Sequence, residues 1–71
     1  MKKRIEPGTA IFDPIKGRDI IIHDVNMIQK VAHCAVSYIH VSDLGDYTTT
    51  DWETEILSFE ELNTLIRGED L

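Results

Sequence analysis

One cysteine in 71 residues is the tightest constraint on this chain. Cys34 has no second cysteine to pair with internally, so a packed core must hold the fold. A chain of this length buries only about 60% of the surface it exposes when unfolded. Stability at this size is often about 3–5 kcal/mol. The length therefore supports one core and one domain over residues 1–71. Residues 1–6 and 69–71 lie outside the strongest patterns and are expected to fray. A partner subunit would add stability that a lone core lacks, which leaves a homodimer open. A lone cysteine also suits a reducing cytoplasm better than a disulfide-held secreted scaffold.

No apolar run approaches the roughly 18 residues of a membrane span. The longest runs are three residues, the clearest being Ile20-Ile21-Ile22. Met1-Lys2-Lys3-Arg4 has the charge of a secretion signal's start, but Glu6, Pro7, Gly8 and Asp13 follow it. No signal segment and no membrane association are expected. The isoleucines, valines and leucines are spread along the chain, which argues against low-complexity disorder.

Periodicity predicts strands first. Pro7-Gly8 marks a turn, and Thr9 to Asp13 reads as a short strand. Lys16-Gly17 offers a second turn, and Arg18 to His23 is a β-branched strand. Ile20 and Ile22 share one face of it, with Ile21 on the other. Asp24 to Ser42 admits two readings. A strand from about Val31 to Val41, preceded by a turn or bulge, is favoured. The alternative is an α+β fold with a helix at about 25–40, capped by Asp24. Ser42 to Asp46 reads as a loop, Tyr47 to Thr50 as an edge strand and Asp51 to Leu57 as the next strand. In that last strand Trp52, Thr54 and Ile56 share a face, with Trp52 read as a core or half-buried residue. Asp51, Glu53 and Glu55 share the opposite, solvated face.

The end of the chain carries the clearest local signal. Ser58-Phe59-Glu60-Glu61 matches a capping box, and Leu57 and Leu62 fit the hydrophobic staple around it. Phe59, Leu62, Leu65 and Ile66 recur at helical spacing. Arg67 in the last turn and Gly68 after it complete a helix predicted over 59–67.

Four or five short strands and a terminal helix predict a mainly β domain, closed most simply as a small, partly open barrel capped by the helix. Pro7-Gly8-Thr9 before an apolar strand, the Gly17 turn and the closing Trp52…Ile56-Leu57…Glu60-Glu61-Leu62 resemble small SH3-like barrel proteins of the phage- and prophage-encoded type. That resemblance implies a compact barrel and no single function.

The residues that carry chemistry elsewhere are weakly arranged here. His33-Cys34 suggests a thiol and a base, but adjacent strand residues point to opposite faces. The apolar run Ala32 to Val36 suits a buried, inert thiol. His23, His33, Cys34 and His40 lack metal-site spacing, and no metal or other cofactor is expected. The pairs Glu53/Glu55 and Glu60/Glu61 read as solvated carboxylates rather than acid–base partners. No phosphate loop or nucleophile elbow occurs. These patterns argue against an enzyme.

Charge is the feature that points outward. The chain has 7 basic and 13 acidic residues, a net charge of -6, and no Lys or Arg between Lys30 and Arg67. Such a half repels phosphate backbones and attracts basic protein surfaces. The plain alternative is that acidity keeps a small protein soluble. The sequence thus predicts a non-catalytic interaction module that binds a basic protein surface, with nucleic-acid mimicry as a sharper form. The contact face predicted for it is Tyr47, Asp51, Glu53 and Glu55, with Asp43 and Asp46 at its edge. Direct nucleic-acid binding is disfavoured. The competing reading is nucleic-acid or small-ligand binding through Lys2, Lys3, Arg4, Lys16, Arg18 and Lys30 in the basic N-terminal half.

Overall fold

A computed structural model describes residues 3–69, apart from the side chain of Glu69. The chain forms β1 (Ala10–Asp13), β2 (Arg18–Asn26), β3 (Val31–Val41), β4 (Tyr47–Thr49), β5 (Glu53–Ser58) and α1 (Phe59–Glu69). The fold is mainly β, as the alternation predicts. The sheet is antiparallel throughout and stays open rather than closing into a barrel.

Strands β1, β2 and β3 follow one another as a meander, and β4 and β5 both pair with β3. Val31–Val41 is a strand, so the helical alternative for 25–40 does not form. Residues 27–30 turn instead, with Lys30 at φ 56° and a bulge at His23 between Ile22 and Asp24. The Asn26 side chain holds that turn by accepting from the Ile28 and Gln29 amides. Such an Asx turn closes the connection, and the chain from Val31 on pairs with β2 instead of continuing as a helix.

The helix lies on one face of the sheet. Ile11, Ile20, Ile22, Ala32, Cys34, Val36 and Leu57 meet Leu62, Leu65 and Ile66 in a single core. Ser58 caps the helix by accepting from the Glu61 amide at 3.1 Å, one half of the predicted capping box, while the Glu61 carboxylate accepts from Arg18. The helix runs through Gly68 to Glu69, so Gly68 is a helical residue and not the predicted cap. Near the N-terminus, Ile5 packs partly against the core and Thr9 Oγ1 donates to the Arg4 carbonyl, so part of the stretch expected to fray is tied to the body. Met1, Lys2, Asp70 and Leu71, also expected to fray, lie outside the described residues.

One irregularity decides which side chains face where. Ile39 pairs with Thr49 and Val36 pairs with Glu53, so Thr50, Asp51 and Trp52 stand opposite only Ser37 and Tyr38. The extra residue is a β-bulge. Its ladder is repaired locally: the Thr50 amide donates to the Tyr38 carbonyl, Ser37 Oγ to the Thr50 carbonyl and the Tyr38 amide to Thr50 Oγ1. A one-residue slip exchanges the two faces. Tyr47 therefore shares the helix-free face with Val41, whereas Glu53 and Glu55 lie on the helix-bearing face with Val36 and Cys34. Trp52 and Ile56 are 53% and 62% exposed, so Trp52, read as core or half-buried, does not enter the core.

Candidate functional site

Three features stand apart from the core. The first is a buried cation. Arg18 opens β2 beside Asp13, the last residue of β1, and its side chain is 1% exposed. Its Nε donates to Asp13 Oδ2 at 2.9 Å. One terminal nitrogen donates to Glu55 Oε1 at 3.2 Å and the other to Glu61 Oε1 at 3.1 Å. The guanidinium also lies 6.0 Å from the centre of the Tyr38 ring, the outer limit for a cation–π contact. Tyr38 Oη donates to Glu55 Oε2 at 2.7 Å. Lys16 Nζ sits 3.8 Å from Glu61.

The sign of each perturbed group follows from this arrangement. Burial alone would raise the Asp13 carboxyl, but the Arg18 hydrogen bond and the Lys16 and Ile15 amides hold it below its ordinary value. Burial would lower Arg18, and its bonds to Asp13 and Tyr38 raise it instead. The bond to Glu55 raises the Tyr38 phenol. Nε and both terminal nitrogens each donate to a carboxylate, and one terminal nitrogen also donates to Tyr38 Oη at 3.5 Å, which describes a structural staple joining β1, β2, β3, β5 and α1. Glu61 serves this staple from the helix, and so does Glu55, which the sequence places in a solvated acidic face. Arg18 is likewise not a surface cation, so it is unavailable to the basic nucleic-acid face predicted from it. Neither the buried arginine nor its ring of partners was singled out by sequence reasoning. The spacing Asp13…Arg18 across a glycine turn was the available signal.

The second feature is an arm. Every residue from His40 to Thr49 is exposed. The end of β3 and all of β4 thus form a hairpin that extends past the helix-covered body, on a molecule 45 × 27 × 17 Å. Val41 faces its partner Tyr47 across the hairpin. Val41, Leu44 and Tyr47 are 61%, 90% and 76% exposed. The tip is fixed by its own bonds: the Ser42 amide donates to the Asp46 carbonyl, the Gly45 amide to the Ser42 carbonyl, and the Asp46 amide to Ser42 Oγ. Gly45 has φ 87°, a conformation other residues rarely adopt. The structure brings Asp43, Asp46 and Tyr47 together on this arm. Asp51 sits in the bulge at its base, and Glu53 lies beyond the bulge on the opposite face.

The third feature is a groove of about 410 Å³ at the other end of β3. Ile5, Met27, Phe59 and Ile66 supply its apolar lining, and Lys3, Arg4 and Arg67 surround it with positive charge. No carboxylate lines it.

The remaining sequence candidates are not assembled. Cys34 is fully buried, its thiol donates to the Ala32 carbonyl and burial pushes its pKa up. His33 lies on the other face of β3 and is exposed. Among the described residues, no three His, Cys, Asp or Glu side chains gather where they would hold one metal ion. No helix among them is long and apolar enough to cross a membrane. No protein-family model, curated protein or solved structure matches this chain.

Proposed function

We propose that the protein is a non-catalytic interaction module that docks onto a basic protein surface through its acidic hairpin arm. The observation that carries this reading is the arm itself. It exposes Val41, Leu44 and Tyr47 beside Asp43 and Asp46, on a segment that contributes nothing to the core. An exposed apolar patch among like charges raises the cost of solvation without adding stability, and its usual role is contact with a partner. Aromatic anchors with a charged rim are the composition of binding hot spots. The core is complete without the arm, so solubility alone does not call for its apolar side chains.

This reading keeps Asp43, Asp46, Tyr47 and Asp51 from the predicted face. Glu53 lies on the opposite face and leaves the contact surface, and Glu55 belongs to the Arg18 staple. Mimicry of nucleic acid is the sharper form, in which the arm's carboxylates occupy phosphate positions on a nucleic-acid-binding partner. The burial of Arg18 weakens the competing basic-face reading, because it removes one of the two cations flanking Gly17.

The test is recovery of partners from lysate by the tagged protein and by the triple variant Asp43→Lys, Asp46→Lys, Asp51→Lys. All three side chains are exposed, so circular dichroism is expected to match the wild type. A basic protein captured by the wild type, released by high salt, indifferent to nuclease and lost from the triple variant supports the proposal. Equal capture by both proteins overturns it. Competition with an oligonucleotide for that partner separates mimicry from plain acidic docking.

A further inference from the structure

We propose that the tip of the arm docks in the cationic groove of a second copy, so that the chain associates head to tail. The inference rests on the arm being a docking element and names one partner for it. The two surfaces match by chemistry. The tip presents one aliphatic side chain, Leu44, between the carboxylates of Asp43 and Asp46. The groove offers an apolar lining that includes Met27 and Phe59, with the guanidinium groups of Arg4 and Arg67 beside it. Its volume of about 410 Å³ accommodates a leucine side chain with room for the flanking backbone. The tip is held rigid by its internal bonds, so docking orders little that is not already ordered.

Position forbids the same contact within one molecule. Met27 lies in the turn before Val31, at one end of β3, and the arm leaves the other end at Val41. Ten strand steps of about 3.3 Å separate those ends by roughly 33 Å. Complementary surfaces at opposite ends of an elongated body make a heterologous contact, which propagates as an open chain or closes as a ring. The tip alone is small, so each contact is weak and association is concentration-dependent.

Sedimentation velocity over a wide concentration range is the measurement, with Leu44→Ser and Arg67→Glu as variants. Both side chains are exposed, and circular dichroism establishes that both variants fold. The wild type is expected to grow in mass with concentration, while each variant alone stays monomeric at the same concentrations. A heterologous contact makes a further demand. Leu44→Ser keeps a sound groove and Arg67→Glu keeps a sound arm. Their equimolar mixture is expected to form 1:1 dimers and to grow no further. A monomeric wild type, variants that associate like the wild type, or a mixture that stays monomeric would each overturn the inference. Arg67→Glu still carries the arm, so its capture of a basic protein from lysate at wild-type yield would leave the proposed function standing without self-association.

Discussion

Arg18 Nε and Asp13 Oδ2 lie 2.9 Å apart with both side chains almost wholly withdrawn from water. Removing one partner of a buried pair leaves an uncompensated charge and typically costs about 3–5 kcal/mol. That equals the whole stability expected of a domain this small, about 3–5 kcal/mol. Arg18→Ala is therefore expected to be largely unfolded at 25 °C by far-ultraviolet circular dichroism. Arg18→Lys is expected to fare little better, because an ammonium cannot serve Asp13, Glu55 and Glu61 from one planar fork. Glu55 and Glu61 are 31% and 39% exposed, so Glu55→Gln and Glu61→Gln are each expected to cost under about 1 kcal/mol in urea titrations. An Arg18→Ala variant that melted within a few degrees of the wild type would refute the staple.

The same pair sets the acid limb of stability. Asp13 titrates below its ordinary value of 3.8 in the folded state. A depressed carboxylate contributes stability that is fully present above its unfolded pKa and is lost as pH falls through the folded one. Tyr38 has the opposite sign. Its pKa is raised above 10.0, so its contribution is present below that value and is lost as pH rises beyond it. Urea midpoints are expected to hold steady near neutrality, to fall below about pH 4 and to fall again above about pH 10. Asp13→Asn keeps the acceptor for the Ile15 and Lys16 amides but removes the charge, so it is expected to lower the plateau and flatten the acid limb. An unchanged acid limb in Asp13→Asn would assign that limb to other carboxylates.

The bulge at Thr50–Trp52 predicts which of two neighbouring side chains matters. Leu57 is 5% exposed on the helix-bearing side, and Leu→Ala at such buried sites costs about 2–5 kcal/mol. Ile56, read from the sequence as sharing a face with a core or half-buried Trp52, is 62% exposed. Ile56→Thr keeps the β-branched shape and is expected to cost under about 0.5 kcal/mol. Thermal melts of the two variants decide the point. A costly Ile56→Thr would mean that the helix-free face is covered in solution.

How far the sequence reaches depends on how local the cause is. The strand limits of β3, the capping box at Ser58 and the staple from Leu57 to Leu62 arise from neighbours in the chain, and they are legible in its pattern. The burial of Ile20 and Ile22, with Ile21 less so, follows from alternation. The faces of β4 and β5 do not, because they depend on one extra residue among polar threonines that no periodicity marks. That residue splits the predicted acidic-aromatic face, leaving Tyr47 on one side and Glu53 and Glu55 on the other. The fate of Arg18 is less legible still, since its partners come from β1, β3, β5 and α1 and meet only in the tertiary fold. Its charge reads as a surface feature until the fold surrounds it with carboxylates. The arm was visible as a loop and an edge strand. The exposure of Tyr47 was legible too, because turn residues and threonines surround it.

Cys34 gives a measure of how often the whole domain opens. Its side chain is fully buried, its thiol donates to the Ala32 carbonyl and its pKa is raised. A thiol in this setting reacts only when the surrounding core separates, because reagent must reach the sulfur and the thiolate must form. With a global stability of about 4 kcal/mol, labelling by Ellman's reagent is expected to be roughly a thousandfold slower than that of free cysteine. The rate is expected to rise steeply with urea, with the dependence seen for equilibrium unfolding. Arg18→Ala, by releasing the staple, is expected to bring labelling close to the free-cysteine rate. Fast labelling of the folded wild type at neutral pH would mean that the core around Ala32, Cys34 and Val36 opens locally. It would also revive the reading of Cys34 as a nucleophile, which the buried thiol otherwise weighs against.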